Sequence, residues 1–173
     1  MSFHVTPSLA HYRVLPSQFL SSQDARHRPY KVVVGVLIFA DEKVLLLRRA
    51  ATERHYPNIW ELPSGKVEPE DATILDAAAR ECLEETGLTI TAFTGEGKPF
   101  EYGIDRRKTL QLNFKVEVHK EDEVTINLDE HQAYQWCSEK DVAEVDVTDA
   151  TRDTLKDAFL RFATRSSQDV KRS

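Results

Sequence analysis

Cysteine is scarce in this chain of 173 residues: there are two, Cys82 and Cys137. They have neither zinc-site spacing nor enough partners for a disulfide framework, which excludes a small stapled scaffold and points to a reducing, intracellular setting. Long apolar runs are missing as well. No stretch approaches the roughly 20 residues a membrane-spanning helix needs. The start, Met1 to Pro7, has neither the basic nor the apolar region of a secretory leader. We therefore expect a cytoplasmic or nuclear protein. Positive charge is in deficit, with 23 Lys and Arg against 29 Asp and Glu, a net charge of -6. That balance lacks the basic footprint of a nucleic-acid binder or of a protein held on an anionic membrane, so neither partner is expected. A polyphosphate is a different case, because a bound cation can carry the positive charge. Also absent are internal repeats, low-complexity blocks, and the Gly-x-x-x-x-Gly-Lys-Ser/Thr, His-Glu-x-x-His and Gly-x-Ser-x-Gly motifs.

What is present is one stretch rich in turn residues and acids. Trp60 to Asp71 holds Pro63, Gly65 and Pro69, spaced too closely for a regular element, and reads as a turn. Behind it Thr73 is placed to cap a helix, with Asp76 three residues on. Leu75, Ala78, Ala79, Cys82 and Leu83 recur at helical spacing as the buried stripe, and Gly87 ends the helix. Off that stripe, Glu81, Glu84 and Glu85 stand at i, i+3 and i+4, so the spacing predicts carboxylates converging on one patch. Like charges at this spacing repel, and Glu84 and Glu85 occupy the last turn, where the helix dipole favours cations. Each term costs from a few tenths to about 1 kcal/mol. A divalent cation reverses both. Oxygen-only donors suit Mg²⁺ or Mn²⁺, and the Gly65 turn can add a backbone carbonyl. The ordinary alternative is a solvated acidic face on which Arg80 pairs Glu84 at i+4.

The pattern Gly65, five residues, Asp71, eight residues, Arg80-Glu81-Cys82-x-Glu84-Glu85-x-Gly87-Leu88 resembles the signature of the Nudix hydrolases. That signature runs Gly, five residues, Glu, seven residues, Arg-Glu-apolar-x-Glu-Glu-x-Gly-apolar. Here Asp71 stands where the family has Glu and one extra residue precedes the helix, so Glu70 and Asp71 both remain open as the partner of Arg80. The resemblance implies an α/β fold, an α/β/α sandwich with a mixed β-sheet, over roughly Tyr30 to Ala163. We expect an N-terminal arm over 1–28, a catalytic domain over 29–164 and a tail over 165–173. It further implies a Mg²⁺-dependent hydrolase, with Mn²⁺ as the other candidate ion, that cleaves a nucleoside diphosphate linked to another moiety. The substrate would be a small nucleotide, and domains of this type often pair as homodimers. The carboxylates of Glu81, Glu84 and Glu85 would bind metal with the Gly65 carbonyl, and Arg80 would brace the loop. Glu130, upstream of Trp136, matches a position that supplies an extra ligand or base in the family; Glu121 and Glu123 rank behind it. Glu81 or Glu130 would take the water proton. A non-catalytic sensor of the same fold is the second reading, opposed by retention of all three helix glutamates. Isomerase chemistry on a prenyl diphosphate needs a reactive cysteine, which Cys82 on a buried stripe does not supply.

Outside this stretch the chain reads as alternating strands and loops. Residues up to about Arg28 show no period, although Tyr12, Val14, Leu15, Phe19 and Leu20 suffice to dock them. Tyr30 to Phe39 predicts a strand buried on both faces; Val44 to Leu47 returns and ends in Arg48 and Arg49. Arg49 is either a solvated strand end or a guanidinium aimed at substrate phosphate, as an Arg often is in the family at this point. Ile59 to Leu62 is a short strand, with Trp60 in the core and His55 in a loop. Two short strands or one bulged strand follow over Thr89 to Tyr102, then a charged turn at Asp105 to Lys108. Leu110 to Val118 alternates with period two. Gln111 and Asn113 on its polar face are able to hydrogen-bond a base or sugar, or face solvent. A short strand is expected within Val124 to Leu128 and another running into Trp136. Ser138 caps a short helix to Val145, and Thr148 opens a last helix with Leu155, Ala158, Phe159, Phe162 and Ala163 as its core stripe.

Overall fold

The structure, a computed structural model, describes residues 2–25, 27–103 and 107–169, with side chains in the last helix as far as Arg161. The charged turn at Asp105 therefore lies outside the described residues, and so do the side chains of the core positions Phe162 and Ala163. Among the described residues nine strands and four α-helices follow in the order β1 (His4–Val5), a 3₁₀ turn (Pro7–Tyr12), α1 (Pro16–Ser22), β2 (Lys31–Ala40), β3 (Lys43–Arg49), β4 (Trp60–Glu61), β5 (Ser64–Lys66), α2 (Ile74–Thr86), β6 (Ile90–Glu96), β7 (Phe100–Tyr102), β8 (Thr109–Val118), β9 (His131–Cys137), α3 (Glu139–Glu144) and α4 (Asp149–Asp169). The helix α4 thus continues into the stretch read from sequence as a tail.

The centre is β2. Its Val, Leu and Ile run is buried on both faces, as a strand covered by helices on each side requires. Lys31 to Ile38 pair in parallel with β8, and Val33 to Gly35 pair antiparallel with β5 on the other edge. At Phe39 and Ala40 the strand turns through Asp41 and Glu42, whose φ angles of 47° and 60° are those of a two-residue hairpin. It returns as β3, flanked by β4 and β9. The mixed sheet has a core on each face. Val32, Val34, Val36 and Ile38 pack with Ile74, Leu75, Ala78 and Cys82 of α2, whereas Leu37 packs with Val142 of α3 and Leu155 and Phe159 of α4. The expected α/β/α sandwich is what forms. Among the described residues no helix is long and apolar enough to cross a membrane.

Four local expectations are corrected. Ser64 to Lys66, read as turn, is a strand, because Gly65 and its neighbours complete the edge of β2 before Pro69 breaks the chain. Leu83 is 38% exposed, and Ile74 and Ala77 take its place in the buried face. Val124 to Leu128 forms no strand; it docks on the end of α2 through Thr125 N to Thr86 O and Asn127 N to Glu85 O. The alternation in β8 does not mark a solvated face, since Gln111 and Asn113 are buried with their apolar neighbours. The N-terminal segment is packed down: β1 extends the sheet beside β6, and Leu9, Tyr12 and Phe19 enter the first core, although Leu15 stays exposed.

Candidate active site

The helix α2 is positioned by its caps. Thr73 Oγ1 accepts from Asp76 N at 3.1 Å, and Gly87, at φ 70°, closes the C-terminus by donating its N–H to Leu83 O. Ile74 and Leu75 are fully buried, each contributing about 1.5–3 kcal/mol. That outweighs the repulsion between glutamates and holds the acidic last turn in place.

Next to this turn Gly65 of β5 faces the Glu81 carboxylate so closely that a Cβ would come within 2.0–2.4 Å of it. Close approach, not a positive φ, is what demands glycine here. Arg80 ties the loop to the helix. Its Nε and Nη2 donate to the two oxygens of Asp71 at 2.9 and 3.0 Å, and Nη2 also reaches Lys66 O at 3.0 Å. Its Nη1 serves Glu81 at 2.8 Å and Glu84 at 3.0 Å. The choice between Glu70 and Asp71 is thereby decided for Asp71; Glu70 is exposed. Burial works to raise the Asp71 carboxyl, but hydrogen bonds from Arg80 and from Glu68 N prevail and hold it below its ordinary value.

Glu81 and Glu84 meet on Arg80 Nη1, as their spacing predicts, whereas Glu85 takes a different partner. Glu84 is 54% exposed and pairs with Arg80. Glu85 is only 4% exposed and turns toward β5, where it accepts from Ser64 N at 2.7 Å. Burial above all, then the charges of Glu61, Glu81 and Glu130, pushes Glu85 well above the usual carboxylate range. Burial also raises Glu81, against the pull of Arg80. Glu130 reaches this place because its loop is tied down, with Glu130 O accepting from Ala50 N at 2.8 Å and Asn127 Nδ2 donating to Glu130 Oε1 at 3.3 Å. Glu121 and Glu123 stay exposed at the far end of the loop.

Two residues that sequence reasoning passed over belong here. His131, at the start of β9, offers a ring nitrogen within 4.8 Å of carboxylate oxygens of Glu85 and Glu130, which likewise lie within that distance of each other. Glu61, from β4, accepts at Oε1 from Arg49 Nη1 at 2.8 Å and lies 3.1 Å from His131 Nε2. A signal existed for Glu61, a charge inside an otherwise apolar short strand; His131 had none, because a bulge opposite Arg48 and Arg49 breaks the alternation of β9 between it and Cys137. The donor chemistry fits a divalent cation, because a buried carboxylate flanked by others is disfavoured as an anion until a positive charge joins it.

Of the two readings of Arg49, the solvated strand end is not what forms. Its Nε, Nη1 and Nη2 donate to His55 O, Glu61 and Glu53, so the guanidinium braces Glu61 instead. Gln111 and Asn113 bond each other at 3.1 Å in space left by Gly35, and Asn113 Nδ2 is spent on Lys98 O. Burial pushes the thiols of Cys82 and Cys137 up to about 12 and about 11. Neither is a thiolate near neutral pH, which removes the nucleophile an isomerase would need.

Comparisons with known proteins bear on the family and the fold. The NUDIX domain family model matches residues 29–158. Nucleoside triphosphatase NudI of Escherichia fergusonii is 31% identical over 134 residues, 72% of this chain and 94% of that protein. The m7GpppN-mRNA hydrolase NUDT17 of Danio rerio is 42% identical over 84 residues, which span 44% of this chain and 28% of the length of that relative. Among solved structures, a MutT protein from Methanosarcina mazei Go1 superposes with a TM-score of 0.65 at 28% identity, covering 81% of this chain and 97% of that one. The E. coli ORF135 protein gives 0.65 at 27% identity, covering 78% and 92%. With a family model covering most of its length and the braced glutamate helix in place, the chain belongs to the Nudix hydrolase family.

Proposed function

We propose that this protein is a divalent-cation-dependent pyrophosphohydrolase that cleaves a nucleoside diphosphate linked to another moiety. The products would be a nucleoside monophosphate and the phosphorylated remainder. The observation that carries this reading is the gathering of Glu85, Glu130 and His131 within 4.8 Å beside a glutamate helix braced through Arg80 and Asp71. The names of its relatives, a nucleoside triphosphatase and an m7GpppN-mRNA hydrolase, support a nucleotide as substrate.

A bound Mg²⁺ or Mn²⁺ supplies neutralisation of the diphosphate and acidification of a water. Glu85 and Glu130, with His131, are the residues that would hold it. Arg80 keeps the β5 turn pressed against α2. Glu81 has one oxygen on Arg80 and a carboxyl raised by burial, which suits it to take the proton of the water attacking phosphorus as the bridging P–O bond breaks. The test is Mg²⁺-dependent release of mononucleotide from a dinucleotide diphosphate by wild type, Glu85→Gln and Glu84→Gln. We expect turnover by wild type, near-complete loss in Glu85→Gln and a smaller loss in Glu84→Gln. Near wild-type turnover in both variants removes the mechanism, and saturable nucleotide binding without product identifies a sensor.

A further inference from the structure

One donor in this site is not an oxygen. His131 is 0% exposed. Its Nε2 lies 3.1 Å from Glu61 Oε1, while its Nδ1 is a buried polar atom with no hydrogen-bond partner among the described residues. A buried N–H without an acceptor is rarer than a buried lone pair without a donor. The proton is therefore assigned to Nε2, donated to Glu61, which leaves the ring one uncommitted lone pair, on Nδ1. Arg49 Nη1 holds the same Glu61 oxygen at 2.8 Å, so the carboxylate that orients the imidazole is itself fixed by Arg49. A histidine whose other N–H is given to a carboxylate is the usual arrangement of an imidazole that ligates a metal. A ring nitrogen of His131 already stands within 4.8 Å of oxygens of Glu85 and Glu130.

We infer that His131 is a nitrogen ligand of the metal centre, that Glu61 and Arg49 are positioning residues for its ring, and that the centre favours a first-row transition ion such as Mn²⁺ over Mg²⁺. The inference rests on the metal-dependent reading above. Mg²⁺ prefers oxygen donors and keeps several of its waters, whereas an imidazole adds affinity for transition ions. The test is pulsed electron paramagnetic resonance of Mn²⁺ bound to the whole protein, at natural abundance and with ¹⁵N-histidine, together with a competition titration of Mn²⁺ against Mg²⁺. Nitrogen modulation that changes with the isotope is expected. His131→Gln should abolish it and shrink the Mn²⁺-over-Mg²⁺ affinity ratio at least about tenfold, the low end of what loss of even an outer partner costs. Glu61→Gln should weaken Mn²⁺ about tenfold while the nitrogen signal persists. Should His131→Gln fail to fold, the isotope comparison is made on a variant in which the other five histidines are replaced by Gln, where a surviving nitrogen signal belongs to His131. Mn²⁺ bound through oxygen only, or not bound at all, overturns the inference. Oxygen-only binding leaves Mg²⁺-dependent turnover standing, and a nitrogen signal without turnover on any diphosphate sinks the hydrolase reading and leaves this one intact.

Discussion

At its first turn α2 has Thr73 capping Asp76 N, and Asp76 itself lies beside the positive pole of the helix. At its last turn Glu84 and Glu85 stand at the negative pole, and Glu85 is buried among the charges of Glu61, Glu81 and Glu130. The first arrangement follows every rule of helix stability; the second breaks several within one turn. Between the two ends, Arg80 is matched to Asp71 oxygen by oxygen. The contrast teaches where stability is local and where it was given up for a task, because stable folds break such rules chiefly at functional sites.

The comparison breaks most sharply at Glu85. Replacing it by Gln removes the buried charge and keeps the shape, so turnover should fall at least about a hundredfold, the upper end of what an outer-sphere partner is worth to a metal site. The melting temperature in chelator should stay level or rise, as calorimetry can check. Asp71→Asn should do the reverse, costing about 2–3 kcal/mol in urea titrations by leaving Arg80 short of its partner, with a smaller loss of turnover in the folded fraction.

The pH dependence sharpens the same contrast. Asp71 is held below its ordinary 3.8, so its contribution is present above that value and lost as pH falls through the lowered one. Glu85 is raised above its ordinary 4.5, so its contribution is complete below that value and lost as pH rises through the raised one. Urea titrations from pH 3 to 8 in chelator should show both losses, and Mn²⁺ should restore only the alkaline one. The smallest effect belongs to the conventional end: Thr73→Ala should cost about 1 kcal/mol by removing the cap, with turnover unchanged.

Most of α2 was legible from spacing alone, because caps and stripe are local properties: Thr73, Asp76 and Gly87 do what their positions predict. The strands β2 and β8 were legible from their apolar content, but the burial of Gln111 and Asn113 was not. Whether the second face of a strand meets water depends on a helix forty residues further on; Thr154 of α4 shares the Lys98 carbonyl with Asn113. Arg49 was open between solvent and substrate, since its partners Glu53, His55 and Glu61 arrive through a loop whose path the sequence does not specify.

The order of residues by itself determined the helix, its glutamates and the family to which they belong, since all of these are set by period and spacing along one short segment. Which acids gather with His131 was decided only by the tertiary structure. Glu85 turns inward to Ser64, Glu84 stays outside on Arg80, and Glu130 and His131 are delivered from about 45 residues downstream by a loop anchored on the end of α2. A charge cluster depends on distances across the fold and on exclusion of water, and neither is a property of the segment that carries the charge.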